Sequence, residues 1–169
     1  MNTLETLQPD DLWHEAFIGL GANLGDARDT LEHAIEALNR HSDLRRLTVS
    51  PRYRSAPVEA NGPDYINAVA RVETRLDSYA LLGVLQDIET QFGRERPYRN
   101  APRTLDLDIL LFGNLVQNDP LLTIPHPRMH LRAFVLLPLK NLAPHLTLEQ
   151  GSLDQLLAAC TDQRIARLR

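Results

Sequence analysis

Cysteine and lysine are almost absent from this sequence of 169 residues, which contains one of each, Cys160 and Lys140. A single cysteine cannot form an intramolecular disulfide, which fits a reducing compartment, and we expect a cytoplasmic protein. Because Lys140 does not lie in a Gly-x-x-x-x-Gly-Lys-[Ser/Thr] segment, the chain contains no P-loop. Any nucleotide must therefore be bound in another way.

Long apolar segments and an excess of positive charge are also absent. No stretch approaches the roughly 18 uncharged apolar residues that a membrane-spanning helix requires, and residues 1–12 are acidic and unlike a signal sequence. A formal net charge of −4 argues against general nucleic-acid binding. We therefore expect neither a membrane nor a nucleic acid as a partner.

The length and the 43% hydrophobic content are those of one folded domain with its own core. We expect residues 1–12 to form an N-terminal extension and residues 13–169 a single domain. The strands that the apolar periodicity predicts lie over 16–21, 47–54 (interrupted by Pro51), 65–74, around Asp106 and near 115–122. The predicted helices follow Asp26, run from Asp77 or Ser78 to Gly93, and cover 131–139 and 153–159. Because the second and third strands are joined without a helix, the pattern favours an α+β sheet over a doubly wound one.

Two aspartates on one predicted strand are the most informative feature that is present. From Thr104 to Asp108 polar and apolar residues alternate, so Asp106 and Asp108 face the same side, roughly 7 Å apart at about 3.3 Å per residue. The intervening apolar residues face a core. A pair of carboxylates can simply be a solvated strand face, but the apolar run 109–112 indicates a central, buried strand. Two Mg²⁺ ions bridging to phosphates would use such a pair.

Four arginines precede these aspartates, Arg94, Arg96, Arg99 and Arg103. Guanidinium groups match phosphate oxygens in shape and charge. The segment 94–102 has no periodicity and is predicted to be a lid. Together with the aspartates, the cluster indicates metal-assisted phosphoryl or pyrophosphoryl transfer.

A glycine-rich segment, Gly19-x-Gly21-x-x-x-Gly25, follows the first predicted strand. It is a loosened form of the dinucleotide-binding fingerprint and leaves an NADP-type oxidoreductase as an alternative. The favoured interpretation is that these glycines turn a strand tightly into a helix.

Segments spread over residues 16–140 resemble, in order, the 6-hydroxymethyl-7,8-dihydropterin pyrophosphokinase family. The matching segments are Ile18-Gly-Leu-Gly-Ala-Asn-Leu-Gly-Asp26, Tyr53-Arg-Ser-Ala-Pro57, Asp64-Tyr-Ile-Asn-Ala68, Ile88-Glu89 with Gly93-Arg94, Pro102-Arg-Thr-Leu-Asp-Leu-Asp108, Ile124-Pro-His-Pro-Arg-Met129 and Arg132-Ala-Phe-Val-Leu136. The resemblance implies a ferredoxin-like α+β sandwich, with a mixed, mainly antiparallel sheet and helices packed outside. It also implies transfer of pyrophosphate from ATP to the pterin hydroxymethyl group, with release of AMP, in folate biosynthesis.

The same resemblance assigns roles to individual residues. It implies that Asp106 and Asp108 hold two Mg²⁺ ions and that Arg94 and Arg103 are catalytic. The residues that it places at ATP are Gln86, Glu89, Arg96, Arg99, Ile109, Thr123, His126 and Arg132. Those that it places at the pterin are Ser55, Ala56, Val58, Tyr65, Asn67 and Phe134. ATP and the pterin alcohol are then the partners, and we expect a monomer, with a dimer left open.

One departure from the family pattern lies in the predicted lid. Asn100-Ala101 stand where family members usually carry Trp-Gly. A large aromatic over the substrates is therefore missing, which leaves open a weakly active paralogue that acts on another pterin or only binds pterin or nucleotide.

Overall fold

The computed structural model describes residues 12–23, 26–57, 62–93 and 105–168, which form one six-stranded sheet with helices on both faces. The strands of this sheet are β1 (His14–Ala22), β2 (Leu44–Val49), β3 (Tyr53–Ser55), β4 (Tyr65–Thr74), β5 (Leu105–Phe112) and β10 (Ile165–Arg167). Two small hairpins lie outside it, formed by β6 (Gln117–Asn118) with β7 (Thr123–Ile124) and by β8 (Thr147–Leu148) with β9 (Gly151–Ser152).

Strand β4 organises the sheet. It pairs with β1 on one side and with β2 and β3 on the other, while β5 extends the sheet beyond β1 and β10 extends it beyond β3. These pairings are all antiparallel. The predicted α+β class, with a mainly antiparallel sheet and outer helices, is confirmed.

The α-helices of the described residues are α1 (Ala27–Arg40), α2 (Ser78–Phe92), α3 (Ala133–Leu142) and α4 (Leu153–Ala158). The first two begin at the predicted aspartates: the Asp26 carboxylate accepts a hydrogen bond from the Asp29 N–H at 3.3 Å, and Asp77 accepts one from the Ala80 N–H at 2.8 Å. Such caps satisfy N–H groups that have no partner within the helix. Gly93 ends α2 as predicted.

The sheet separates two hydrophobic cores. Helices α1 and α2 cover one face, where Leu31, Leu38, Leu81 and Leu85 are fully buried. Helices α3 and α4 cover the other face, where their apolar side chains pack on Phe17, Val69 and Leu110. Alternation along β5 sends Leu105, Leu107 and Ile109 into the first core, as predicted, and leaves the intervening residues on the α3 face.

Some predicted elements differ from the structure. The strand predicted over 47–54 is divided into β2 and β3, because Pro51 has no N–H to donate to the sheet. Next to it, the Ser50 hydroxyl accepts a hydrogen bond of 3.0 Å from the Val69 N–H. The strand predicted near 115–122 is reduced to the hairpin β6–β7, and the helix predicted from 131 starts at 133, after a 3₁₀ turn at Met129–Leu131. Hairpin β8–β9 and strand β10 were not predicted, because strands of two or three residues carry no readable periodicity.

In the described ranges no helix has the length and apolar character needed to cross a membrane.

Candidate functional site

Two glycines of β1 place no side chains on the face of the sheet that α3 covers. Phe17 is buried under that helix layer, but the next two residues on the same side of the strand are Gly19 and Gly21. Because they have no side chains, a cavity of about 410 Å³ opens between the sheet and the start of α3. Its lining comprises Gly19, Leu20, Gly21, Ser55, Ala56, Pro57, Tyr65, Asn67, Ala68, Asp106, Asp108, Leu110, His126, Arg128, Arg132, Phe134 and Val135.

This position corrects both interpretations of the first two glycines. Gly19 and Gly21 lie inside β1 rather than in a turn. The strand pairs antiparallel with both of its neighbours, whereas a dinucleotide fingerprint requires a parallel β-α-β unit. The oxidoreductase alternative is therefore wrong.

The register of three strands aligns the polar groups of the cavity. Gly21 lies opposite Asn67 of β4 on one side and opposite Asp106 of β5 on the other, and Gly19 lies opposite Asp108. Neighbouring strands are about 4.8 Å apart, so the Cα atoms of Asn67 and Asp106 are separated by about 10 Å across β1. The cavity thus has an acidic end and an amide end.

The acidic end is formed as the sequence pattern predicts. Asp106 is half-buried, Asp108 is exposed, and both line the cavity on the α3 face. Among the described residues, no group of three or more histidine, cysteine or acidic side chains could hold a metal. Two carboxylates alone fit Mg²⁺, which keeps several waters and takes phosphate oxygens as further ligands, better than an ion that needs a complete protein cage.

His126 forms the wall beside Asp108. Burial lowers the pKa of its imidazole, Arg132 and Arg128 lower the pKa further, and Asp108 opposes them. The ring is therefore neutral at neutral pH. Its Nδ1 accepts a hydrogen bond of 3.1 Å from the Arg128 N–H, so the proton lies on Nε2, which is a hydrogen-bond donor.

Cationic and aromatic groups complete this side of the cavity. Arg132 precedes α3, and its guanidinium carbon lies 5.5 Å from the centre of the Phe134 ring, within cation–π range. Phe134 is half-buried: it packs against the second core and also lines the cavity. Arg128 and Arg132 bring positive charge to the same space as the two aspartates, a mixture suited to phosphates with a bound cation.

At the amide end, the Ser55 hydroxyl donates a hydrogen bond of 2.5 Å to Asn67 Oδ1. Both residues are 5% exposed. Tyr65, half-buried at the start of β4, and Ala56 line the cavity next to them.

Four predicted ATP contacts do not line this cavity. Ile109 is buried in the core on the opposite face, and Gln86 is exposed on α2. Glu89 is buried, where its carboxylate accepts a hydrogen bond of 3.1 Å from the Leu107 N–H. Thr123 lies half-buried on β7. Their role at ATP stays a prediction.

Other predicted residues lie outside the described ranges. They are Val58, Arg94, Arg96, Arg99, Arg103 and the Asn100-Ala101 pair.

The structure adds Arg128 and Val135 to the cavity, and it places there Gly19 and Gly21, which the sequence had indicated only as a turn or a loosened fingerprint. A signal existed for the glycines, because two glycines at i and i+2 of a strand remove side chains from one face. Arg128 and Val135 stand within segments that matched the family, but only the fold shows that they face the cavity.

Fold and cavity together define an α+β domain with a polar cavity between a sheet and its outer helices, lined by two carboxylates, an amide and two arginines. The sequence model described as 7,8-dihydro-6-hydroxymethylpterin-pyrophosphokinase (HPPK) matches residues 17–144, and the chain belongs to this family. It is 46% identical over 154 residues to the 2-amino-4-hydroxy-6-hydroxymethyldihydropteridine pyrophosphokinase of Pseudomonas aeruginosa, covering 90% of this chain and 95% of that protein. The protein of the same name from Haemophilus influenzae is 41% identical over 155 residues, with 90% and 97% covered.

Solved structures show the same fold. An HPPK-DHPS chain of Plasmodium falciparum superposes with a TM-score of 0.69 at 16% identity, over 86% of this chain and 45% of that one. Another HPPK-DHPS structure, crystallised with substrates, gives a TM-score of 0.69 at 13% identity, over 88% and 43%. The present chain thus spans less than half of those longer chains.

Proposed function

We propose that this protein transfers pyrophosphate from ATP to the hydroxymethyl group of 6-hydroxymethyl-7,8-dihydropterin, a step of folate biosynthesis that releases AMP. Family membership and relatives that match over nine-tenths of the chain support the reaction. The observation that carries it is the cavity itself, in which a carboxylate pair on β5 and a buried amide on β4 lie on either side of two glycines of β1.

The acidic end takes the nucleotide. Asp106 and Asp108 would hold the two Mg²⁺ ions, which would neutralise phosphate charge and orient the β-phosphorus. The pterin hydroxyl oxygen forms a new bond to that phosphorus and gives up its proton to water, and the bond from the β-phosphorus to the oxygen that bridges to the α-phosphate breaks, so AMP leaves with that oxygen. Positioning and electrostatics supply most of the acceleration in such a transfer.

Cationic groups stabilise the negative charge that shifts between the phosphate groups during this transfer. Arg94 and Arg103 stabilise the transferring group, and Arg96 and Arg99 bind phosphate. His126 donates from Nε2 and Arg132 binds phosphate beside it, since both line the cavity with Asp108. Gln86, Glu89, Ile109 and Thr123 contact the nucleotide outside the described cavity.

The amide end takes the pterin. Asn67 binds the polar edge of the heterocycle, and Ser55, Ala56 and Val58 contribute backbone groups. Tyr65 and Phe134 stack on the two faces of the flat ring, an arrangement that their places in the cavity lining support.

The comparisons favour this enzyme over the weakly active paralogue that Asn100 leaves open in the sequence. Release of AMP from ATP only when the pterin alcohol is present separates it from the proposed enzyme, since a binding module would take up pterin without producing AMP.

The metal assignment is tested with Asp106→Asn and Asp108→Asn, which keep side-chain size but remove charge. Each should lower turnover by roughly a hundredfold or more, the usual cost of losing a transition-state charge contact. The stabilisation of the protein by Mg²⁺ with a non-hydrolysable ATP analogue, measured by thermal unfolding, should also disappear.

Asp87→Asn is the matched control, because Asp87 is exposed on α2, which covers the opposite face of the sheet. Near-normal turnover in either cavity variant, or a matching loss in the control, would contradict the metal assignment.

A further inference from the structure

Gln163 lies beyond residues 17–144, which match the family, yet it contacts the start of helix α3. Its side-chain amide makes two hydrogen bonds of 2.8 Å there: Oε1 accepts from the Ala133 N–H, and Nε2 donates to the Leu131 carbonyl. A backbone N–H can only donate and a carbonyl can only accept, so this pair of bonds leaves one orientation for the amide.

These two bonds hold the peptide groups on either side of Arg132. The Leu131 carbonyl belongs to the peptide before it, and the Ala133 N–H belongs to the peptide after it. Arg132 is extended, with φ −119° and ψ 110°, between the 3₁₀ turn at Met129–Leu131 and α3. Because the two flanking peptide planes define φ and ψ of a residue, the amide fixes the direction in which the Arg132 side chain leaves the backbone.

The first turn of α3 needs a hydrogen-bond acceptor from elsewhere in the chain. The residue before a helix often supplies a side-chain oxygen to the unpaired N–H groups of the first turn. Arg132 holds that position and makes no capping hydrogen bond, because its guanidinium has only donors. Gln163 satisfies the Ala133 N–H in its place. The Arg132 side chain can therefore line the cavity with Asp108.

The segment that carries Gln163 is itself anchored on both sides. The Gln163 N–H donates to the Cys160 carbonyl at 3.0 Å, in the turn that follows α4, and Ile165 begins β10 two residues later. This strand pairs with β3, where Ile165 lies opposite Ser55. Gln163 is half-buried between these two fixed points, so its position does not depend on the cavity.

We propose that Gln163 is a positioning residue that holds the backbone around Arg132, so that the guanidinium is placed to bind a phosphate group of the nucleotide. This inference rests on the proposed function and deepens its nucleotide end. An arginine side chain loses much rotamer freedom when it is ordered, and fixing the backbone from which it starts removes part of the cost of binding. A misplacement of about 1 Å can be felt as a loss of up to about a hundredfold in rate.

The experiment measures the dissociation constant of α,β-methylene-ATP with Mg²⁺ by isothermal titration calorimetry. Gln163→Met keeps the length of the side chain but removes both hydrogen bonds, and it should weaken binding by about tenfold. Gln163→Glu keeps an acceptor for the Ala133 N–H but offers no donor to the Leu131 carbonyl, so its loss should be smaller but measurable. Gln163→Glu carries the test if Gln163→Met does not fold.

A double-mutant cycle with Arg132→Met shows whether the effect passes through the guanidinium. If Gln163 acts by placing Arg132, its replacement should cause no further loss of binding once Arg132 has been replaced. A general loss of stability would instead weaken binding alike in both backgrounds.

Gln155→Met is the matched control. Gln155 also accepts a hydrogen bond at the start of a helix, from the Ser152 N–H at 3.0 Å, but this helix is α4 and Gln155 does not line the cavity. The control therefore loses a similar contact between side chain and backbone. It should bind the analogue as the wild-type protein does.

The outcomes separate the two proposals. Wild-type protein that does not bind the analogue overturns the proposed function and the inference with it. Tight wild-type binding that the Gln163 variants leave unchanged overturns the positioning role and leaves the proposed function standing. An equal loss in the Arg132→Met background, or the same loss in Gln155→Met, also overturns the positioning role.

Discussion

Arg46 is the one non-glycine residue with positive φ in the described part of the chain, at 52°. It lies where the register between β2 and β4 shifts, and with Arg45 it binds the Glu73 carboxylate, at 3.0 Å and 2.7 Å. The bulge thus brings two neighbouring arginines to one carboxylate. The left-handed backbone that this requires costs an L-residue about 1 kcal/mol.

We expect Arg46→Gly to be about 1 kcal/mol more stable than Arg46→Ala. Both variants lose the exposed ion pair, but only glycine relieves the backbone. For a chain of this size the difference corresponds to roughly 2–4 °C in Tm, which thermal unfolding resolves. Equal Tm values for the two variants would show that the bulge carries no such cost.

At the scale of single residues, the sequence predicted the face of a strand on which a side chain lies better than it predicted the residues around that side chain. Alternation was enough to place Asp106 and Asp108 on one face, because a strand has a period of two. It could not show that Gly19 and Gly21 form the floor between those carboxylates and Asn67, because this depends on the register of three strands that are distant in sequence.

An ion pair ties helix α1 to the segment between β2 and β3. Arg52 donates to the Glu32 carboxylate from Nε at 2.7 Å and from Nη2 at 3.0 Å, and its Nη1 donates to the Ser50 carbonyl at 2.8 Å. The hydrogen bond from Arg52 lowers the pKa of Glu32. Because the folded pKa lies below the unfolded value, the pair stabilises the protein above the unfolded pKa and is lost as pH falls through the acid range.

We expect a double-mutant cycle of Glu32→Gln and Arg52→Gln to give a coupling free energy below about 1 kcal/mol at pH 7, since Glu32 is half-exposed. Urea unfolding at pH 7 and again at about pH 3 measures it, where about pH 3 lies below the usual glutamate pKa of about 4.3. The coupling should weaken at the lower pH. A coupling that persists unchanged would mean that the charge of Glu32 is not its source.

At the scale of elements, long segments were predictable and short ones were not. Strand β4 and helix α2 have the predicted limits, because ten or more periodic residues and a capping aspartate define them. Strand β10 is three residues long, and its place beside β3 depends on a contact across more than a hundred residues.

In the described ranges the sheet lies between two cores, and helix α3 of the second core forms one wall of the cavity. Leu85 of α2 and Leu139 of α3 are both fully buried, one on each face. Phe134 and Arg132 belong to the start of the same α3 that Leu139 anchors. Loss of packing should therefore affect the ligand from one side of the sheet only.

We expect Leu85→Ala and Leu139→Ala each to destabilise the protein by about 2–5 kcal/mol, since both leave a cavity in a core. Only Leu139→Ala should also weaken pterin binding, because α3 then shifts at the cavity wall. Chemical unfolding and pterin titration below the unfolding transition check the two effects. Equal affinities in the two variants would contradict the assignment of α3 as the wall.

The α+β class was predictable because strands joined without helices leave few arrangements. The position of the cavity on the α3 face of the sheet was not predictable, since it depends on which helices cover each side. The lid over 94–102, the extension 1–12, the monomeric state and the cytoplasmic location stay predictions.

The sole tryptophan gives this molecule an intrinsic fluorescent probe. Trp13 stands at the start of β1, with the guanidinium carbon of Arg45 4.2 Å and that of Arg75 5.5 Å from its ring centre. Gly21, at the other end of the strand, is eight residues away, about 26 Å at about 3.3 Å per residue. A pteridine in the cavity would absorb light emitted by the indole, so energy transfer reports occupancy. The emission maximum, which depends on the surroundings of the indole, reports whether the strand is still docked. Binding and unfolding can therefore be followed in one cuvette without any attached dye.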